Sequence, residues 1–528
     1  MLKFTWDFPY SSQRMPVLAR NLVATSQPLA AQAGLRVLLN GGNAVDAALA
    51  AAITLTVVEP TSNGIGGDAF AILWDGKSLH GLNSSGRSPQ AWSIRRFAGL
   101  GAMPPAGWDS VTVPGAVAAW TVLSRRFGKL PFAELFKPAV AYARDGFAVA
   151  PITARRWQDA QAFYPRFAEI NRTFFPSGRA PLAGEVFRCP DQADTLTAIA
   201  ESQGEAFYRG SIAQKIAACS AAEGGAMTLD DLSAHRADWV EPLAIDYRGA
   251  RLHEIPPNGQ GIAALIALGI LRRFDLDRYP VDSVDSLHLQ IEAMKSAFVE
   301  VLRHVADIDH MIVPPAELLR EEVLTAKASE IRLDRAAQPI FKVSAGGGTV
   351  YLTAADSSGM MVSFIQSNYL GFGSGIVVPG TGIALQNRGL GFVLEESHPN
   401  CAAGGKRPFH SIIPGFVTKD GRPLMSFGVM GAHMQPQGHV QMMVRILDYG
   451  QNPQAACDAP RWHVAPDSGV ALEPGFPADV VEGLRQRGHT VTTGASTALF
   501  GGGQLIYRLA DGYAAASDWR KDGQAVGF

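Results

Sequence analysis

Three glycines run directly into a threonine in Ala345-Gly-Gly-Gly-Thr349-Val-Tyr-Leu352. Glycine reaches backbone angles closed to other residues, so a strained and attackable peptide bond can form there. The Thr349 hydroxyl can then attack the Gly348 carbonyl. Hydrolysis of the resulting ester would free the Thr349 amine. An α-amino group has an unperturbed pKa of about 7.7–8.0, so it can take a proton near neutrality. One residue would supply both nucleophile and base. Its β-branch restricts χ1 and helps aim the hydroxyl. On spacing alone, a flexible linker entering a sheet explains the same residues.

Other chemistries are poorly served. No H-E-x-x-H is present, and neither a metal nor any cofactor is expected. Gly371-Phe-Gly-Ser-Gly375 opens no strand–helix unit, and no G-x-S-x-G elbow sits at a strand–helix turn. Cys189, Cys219, Cys401 and Cys457 form no C-x-x-C pair, which fits a reducing compartment. Lys plus Arg total 46 and Asp plus Glu 48, leaving a net charge of -2. No basic field is present to attract nucleic acid or an anionic membrane. The apolar run Ala44–Val58 contains Asp46 and falls short of the ~20 residues of a membrane span. The N-terminal residues carry no secretory pattern, so a soluble cytoplasmic protein is expected.

The elements that must position Thr349 follow from periodicity. Ser26-Gln27-Pro28 opens a helix over Ala30–Leu39, which stops at Gly41-Gly42. Asn43 caps a second helix, Ala44–Val58, apolar nearly all round and therefore expected between layers. A glycine-rich loop, Thr61–Gly67, leads to a strand at Ala69–Trp74. The middle reads as helical at Leu196–Glu201, Ile212–Ala222, Ile262–Leu271 and Leu287–Val305. Pro314–Lys342 is charged and weakly patterned, and is expected to be an exposed or mobile arm. After Gly348 the chain turns β-rich: Val350–Ala354 and Met360–Gln366 flank a hairpin turn at Asp356–Gly359. Strands at Gly382–Leu385, Ile412–Val417 and Leu424–Phe427 and a helix at Gln437–Leu447 follow.

Several blocks, in order, resemble the γ-glutamyltransferase family of N-terminal-nucleophile hydrolases. They are Gly41-Gly-Asn-Ala-Val-Asp-Ala47, Val58-Glu-Pro60, Gly64-Ile-Gly-Gly67, Val113-Pro-Gly115, Phe372-Gly-Ser-Gly-Ile376, Lys406-Arg-Pro408, Asp458-Ala-Pro-Arg461 and Ala516-Ser-Asp518. The resemblance implies an α+β fold, a four-layer αββα sandwich built from two fragments of one precursor. Scission between Gly348 and Thr349 would leave a large fragment, 1–348, whose end (314–348) is the expected arm. The small fragment, 349–528, would begin with the nucleophile. The two would form a heterodimer, with room for a dimer of heterodimers.

The resemblance also implies site residues. Thr349 matches the nucleophile, and Ser367 a hydroxyl that supports it. Gly431 and Ala432 match the pair whose N–H groups form the oxyanion hole; alanine retains its N–H. Ser411 matches the second serine of a substrate-contacting pair. His410 replaces the first, and either hydrogen-bonds substrate or fills space. Arg87 matches an arginine that grips a substrate carboxylate.

Where relatives hold the α-amino group of a γ-glutamyl substrate with Asn, Gln and an acid, this chain has Tyr369, Arg388 and Gly391. An acid is lost and a cation gained, so amine-bearing donors are disfavoured. That reading needs Arg388 in the pocket rather than outward with Glu395 or Glu396. The segment between Phe392 and Lys406 is also short for a family lid, which favours water as acyl acceptor. The pattern resembles the oxamate amidohydrolase branch. The expected substrate is a small anionic amide, with oxamate hydrolysed to oxalate and ammonia. The alternatives are a glutaryl or cephalosporin acylase, a γ-glutamyl hydrolase or transpeptidase, and an uncleaved scaffold.

Overall fold

The structure is a computed structural model that describes residues 13–339, 348–465 and 467–528. Two seven-stranded sheets organise it. In the first, the Thr349 strand, Gly348–Ala355, lies centrally between Leu22–Thr25 and Met361–Tyr369, and the latter pairs with Asp68–Trp74. The second is centred on Arg422–Met430, flanked by Gly415–Lys419 and Gly502–Leu509. All these neighbours are antiparallel.

Three apolar cores explain how the sheets are held. One lies between them, where Phe70, Ile72, Tyr351 and Ile365 meet Ile412, Phe416 and Ile506. A second packs helices on the outer face of the first sheet, through residues such as Ala48, Ile53, Val350 and Leu352. A third packs Ile262–Leu271, Val284–His304 and Met434–Leu447 against the second sheet. All fifteen residues of Ala44–Val58 are buried, as its unbroken apolarity predicts. Asn43 caps it in a reciprocal box with Asp46.

Local readings shift at several edges. Gln27, not Ser26, caps the first helix, accepting from the Leu29 and Ala30 N–H groups. Ser26 donates instead to buried Glu59 (2.5 Å). The Gly382–Leu385 strand shrinks to Ile383–Ala384, and the Gln437–Leu447 helix begins at Met434. The expected arm is folded over 314–339. It carries helices Pro315–Leu318 and Glu321–Glu330, because Leu318 and Leu324 give it an apolar side that packs against the third core. Its end docks on the body, with Ala337 N–H donating to Glu292 Oε2 (2.8 Å) and Ala336 N–H to the Arg487 carbonyl (2.6 Å). The rest of the arm lies outside the described residues.

All four cysteines are free. Among the described residues no helix is long and apolar enough to cross a membrane.

Candidate active site

Thr349 sits at the start of its strand, 3% exposed, where the sheet register slips. Gly348 pairs with Tyr369 but Val350 with Gln366, so Ser367 and Asn368 both oppose Thr349. Such a bulge re-aims side chains at the end of a ladder. The Thr349 hydroxyl lies 3.4 Å from Ser367 Oγ. Ser367 in turn donates to the Gly348 carbonyl at 2.5 Å and accepts the Tyr369 N–H at 2.8 Å. The Ser367 hydroxyl therefore touches both the Thr349 hydroxyl and the Gly348 carbonyl.

The second sheet supplies the opposite wall. Its strand Arg422–Met430 ends in a turn, Gly431 (φ +121°) and Ala432 (φ +48°), before the Met434–Leu447 helix. Left-handed backbone at Ala432 costs roughly 1–2 kcal/mol. The Gly431 carbonyl accepts the Met434 N–H (2.8 Å), so the trans peptide turns the Ala432 N–H the other way. Among the described residues, neither the Gly431 nor the Ala432 N–H finds a backbone acceptor. Two open donors at the positive end of a helix suit a developing oxyanion.

Gln435, in the first turn of that helix, points its Nε2 at Thr349 Oγ1 (3.5 Å), its Oε1 fixed by the Ile413 N–H (2.9 Å). Gln260 ties the walls together, donating to the carbonyls of Ser411 (2.5 Å) and Ala432 (2.9 Å).

Arg388 is 1% exposed and reaches into this cluster. Nη2 donates to Ser367 Oγ (3.2 Å), Nη1 donates to Ser411 Oγ (2.9 Å), and the guanidinium stacks on Tyr369 at 4.2 Å. Its Nε has no partner, and among the described residues no carboxylate pairs with it. Burial pulls its pKa down to about 10, against the opposing pull of Tyr369 and Asp68. Glu395 and Glu396, the partners an outward Arg388 would need, are exposed. The arginine points inward, toward Ser367 and Ser411.

His410 is fully buried and does not line open space. Its Nε2 meets Asp68 Oδ2 at 3.2 Å. Burial, with Arg388 and Arg407 nearby, holds its pKa well below the usual histidine value. Asp68, the register partner of Ser367, accepts the Gly86 and Gly115 N–H groups and is pushed up to about 7 by burial. Arg87 stands apart from these contacts. Its Nη1 donates to Asp307 (2.8 Å) and to the Gly405 carbonyl (3.1 Å). Thr349, Ser367, Arg388, Ser411 and Ala432 thus converge, while Arg87 and His410 are engaged elsewhere.

The family model for Gamma-glutamyltranspeptidase matches residues 30–528. The chain belongs to that family. Over 522 residues it is 36% identical to the glutathione hydrolase-like YwrD proenzyme of Bacillus subtilis, covering 96% of this chain and 98% of that one. It is 34% identical to the oxamate amidohydrolase proenzyme of Klebsiella pneumoniae, covering 97% and 99%. Among solved structures, a cephalosporin acylase from Bacillus halodurans superposes with a TM-score of 0.96 at 48% identity, covering 100% of this chain and 99% of that one. This member of the family is an amide-hydrolysing enzyme made as a proenzyme.

Gln260, Gln435 and Asp68 were invisible to motif reading. The one available signal was polarity out of place. Gln260 stands just before a wholly apolar helix, and Asp68 begins a strand that is otherwise hydrophobic.

Proposed function

We propose that scission before Thr349 yields fragments 1–348 and 349–528 of a four-layer αββα hydrolase. Thr349 then hydrolyses a small amide carrying a carboxylate, most simply oxamate. The observation that carries this reading is Arg388. A buried guanidinium that hydrogen-bonds no carboxylate, with Asp68 acting on it only at a distance, is costly, and an anionic ligand would offset that cost. It also lies only two hydrogen bonds from the nucleophile, through Ser367. A carboxylate bound there must sit close to the carbon under attack, which favours a short acyl group.

Once scission frees the Thr349 amine, the cycle uses that amine and the groups around it. The Thr349 amine takes the hydroxyl proton as Oγ1 attacks the amide carbon. The oxyanion forms against the Gly431 and Ala432 N–H groups. The amine returns its proton to the leaving nitrogen, ammonia departs, and water hydrolyses the threonyl ester. Tyr369 and Gly391 offer no carboxylate for a substrate ammonium, which weighs against γ-glutamyl donors.

The likeness to a cephalosporin acylase favours a second reading, a longer dicarboxylic acyl group. Ammonia or amine release from oxamate, malonamate, glutaryl amides and a γ-glutamyl anilide separates them. Highest kcat/KM on oxamate or malonamate is expected; highest on a glutaryl amide sinks the short-substrate reading.

A further inference from the structure

A second polar group of side chains lies beside Gly348. Asn368 is fully buried, yet neither its Oδ1 nor its Nδ2 has a hydrogen-bond partner. The same holds for Thr61 Oγ1 and Ser62 Oγ, at 4% and 1% exposure. These residues are neighbours. The Asn368 N–H lies 3.5 Å from the Ser62 carbonyl. A side chain on Gly348 would come within 3.0 Å of Thr61 O and 3.1 Å of Ser62 Cα. The Asn368 amide lies over Gly64 and Gly67, where a Cβ would approach it to 2.9 Å at each position. The glycines of this loop thus make room for a polar side chain that no protein group satisfies.

Buried polar atoms are almost always hydrogen-bonded, and when protein does not serve them, ordered water does. Ser367 takes the Gly348 carbonyl and the Arg388 side; Asn368 takes the Thr61–Ser62 side.

We propose that Asn368, Ser62 and Thr61 hold a buried water that completes self-cleavage. The proposal rests on the reading that Thr349 Oγ1 first displaces its own nitrogen from the Gly348 carbonyl carbon, giving an ester and a free amine. The water oxygen then bonds to that carbon and the C–Oγ1 bond breaks. One water proton ends on Oγ1 and the other on the Thr349 amine. The products are a Gly348 carboxylate and an N-terminal threonine. Ester hydrolysis needs no oxidant, metal or further reactant.

The test follows splitting of freshly translated full-length chain on denaturing gels, for wild type, Asn368→Leu and Ser62→Ala, with and without neutral hydroxylamine. Hydroxylamine replaces water as nucleophile and leaves a hydroxamate on Gly348, read by mass spectrometry. The expected result is splitting slowed at least about tenfold in Asn368→Leu, less in Ser62→Ala, and restored in both by hydroxylamine. Splitting at the wild-type rate in both variants overturns the proposal. So does slowed splitting that hydroxylamine leaves unchanged, because the block then precedes the ester or lies in folding. A wild-type chain that never splits removes the self-cleavage reading and this one with it. Neither result bears on which amide the mature enzyme hydrolyses.

Discussion

Two buried charged clusters in this molecule are built on opposite plans. Arg461, Asp518, Arg520 and Glu473 form a closed network. Arg461 Nη2 reaches Asp518 Oδ2 at 2.6 Å, Arg520 Nη1 reaches Asp518 Oδ1 at 3.0 Å, and Arg520 also holds Glu473. Arg461 donates to the Phe500 carbonyl and Asp518 accepts the Gly503 N–H, so the network pins the loop whose Gly501 abuts Gly431. Around Thr349, by contrast, Arg388 meets only hydroxyls and an aromatic face, and two N–H groups stand open. A closed network spends its hydrogen bonds on structure. An open one leaves valences that a substrate can fill.

That contrast can be broken at several points. The largest effect belongs to Thr349→Ala, expected to remain one full-length band and to release no ammonia. Two fragments from that variant would place the nucleophile elsewhere. Arg461→Met leaves Asp518 short of a partner in a dry site and should destabilise by about 3–5 kcal/mol, read as a lower urea midpoint. A change below about 1 kcal/mol would mean that Asp518 keeps its partners without Arg461.

Arg388→Gln should behave the other way. It should cut kcat/KM for a carboxylated amide by roughly a hundredfold, the loss of a charged contact of about 2–3 kcal/mol. Stability should hold or rise, since an unpaired buried charge is removed. Unchanged kinetics would remove Arg388 from substrate binding.

In the pH dependence of stability the two clusters should show opposite signs. Burial raises Asp68 to about 7, so between about pH 4 and 7 the folded state holds a proton that the unfolded state has lost. Its contribution is full below about pH 4 and lost as pH rises toward 7. Burial also opposes ionisation of Asp518, but Arg461 and Arg520 overrule it and hold the carboxyl at about 2. Its contribution is present above about pH 4 and lost as pH falls toward 2. Urea unfolding of wild type against Asp68→Asn should converge at low pH and diverge by pH 7; parallel curves would place Asp68 in a more solvated setting.

A third buried group shows why proximity alone is a poor guide. His288, Glu292 and His489 lie close enough together to suggest a metal. Yet Lys295 donates to Glu292, the Ala337 N–H takes its other oxygen, and His288 bonds both His489 and the Arg332 carbonyl. With their ligand atoms already engaged and an ammonium among them, these residues dock the segment from Arg332 to Ala337.

Much of this was legible in the chain alone. Three glycines before Thr349, the buried helix Ala44–Val58 and the hairpin after it follow from local rules: glycine freedom, apolar periodicity and turn chemistry. Ser367, Gly431 and Ala432 were reachable because they keep motif positions. Local rules could not decide where Arg388 points, since outward and inward rotamers read identically in sequence; only packing against Tyr369 and Ser411 settles it. They could not show that His410 is spent on Asp68 or that Gln435 faces Thr349, because those partners are hundreds or tens of residues away. The arm at 314–339 is largely exposed, as its charge suggests, but its docking was not legible: Leu318 and Leu324 are too sparse to signal burial until the third core is there to receive them. Sequence singled out Thr349 as the candidate nucleophile and set the elements that carry it. The tertiary structure decided which polar groups are closed on one another and which are left open, because that is a property of contacts between distant segments.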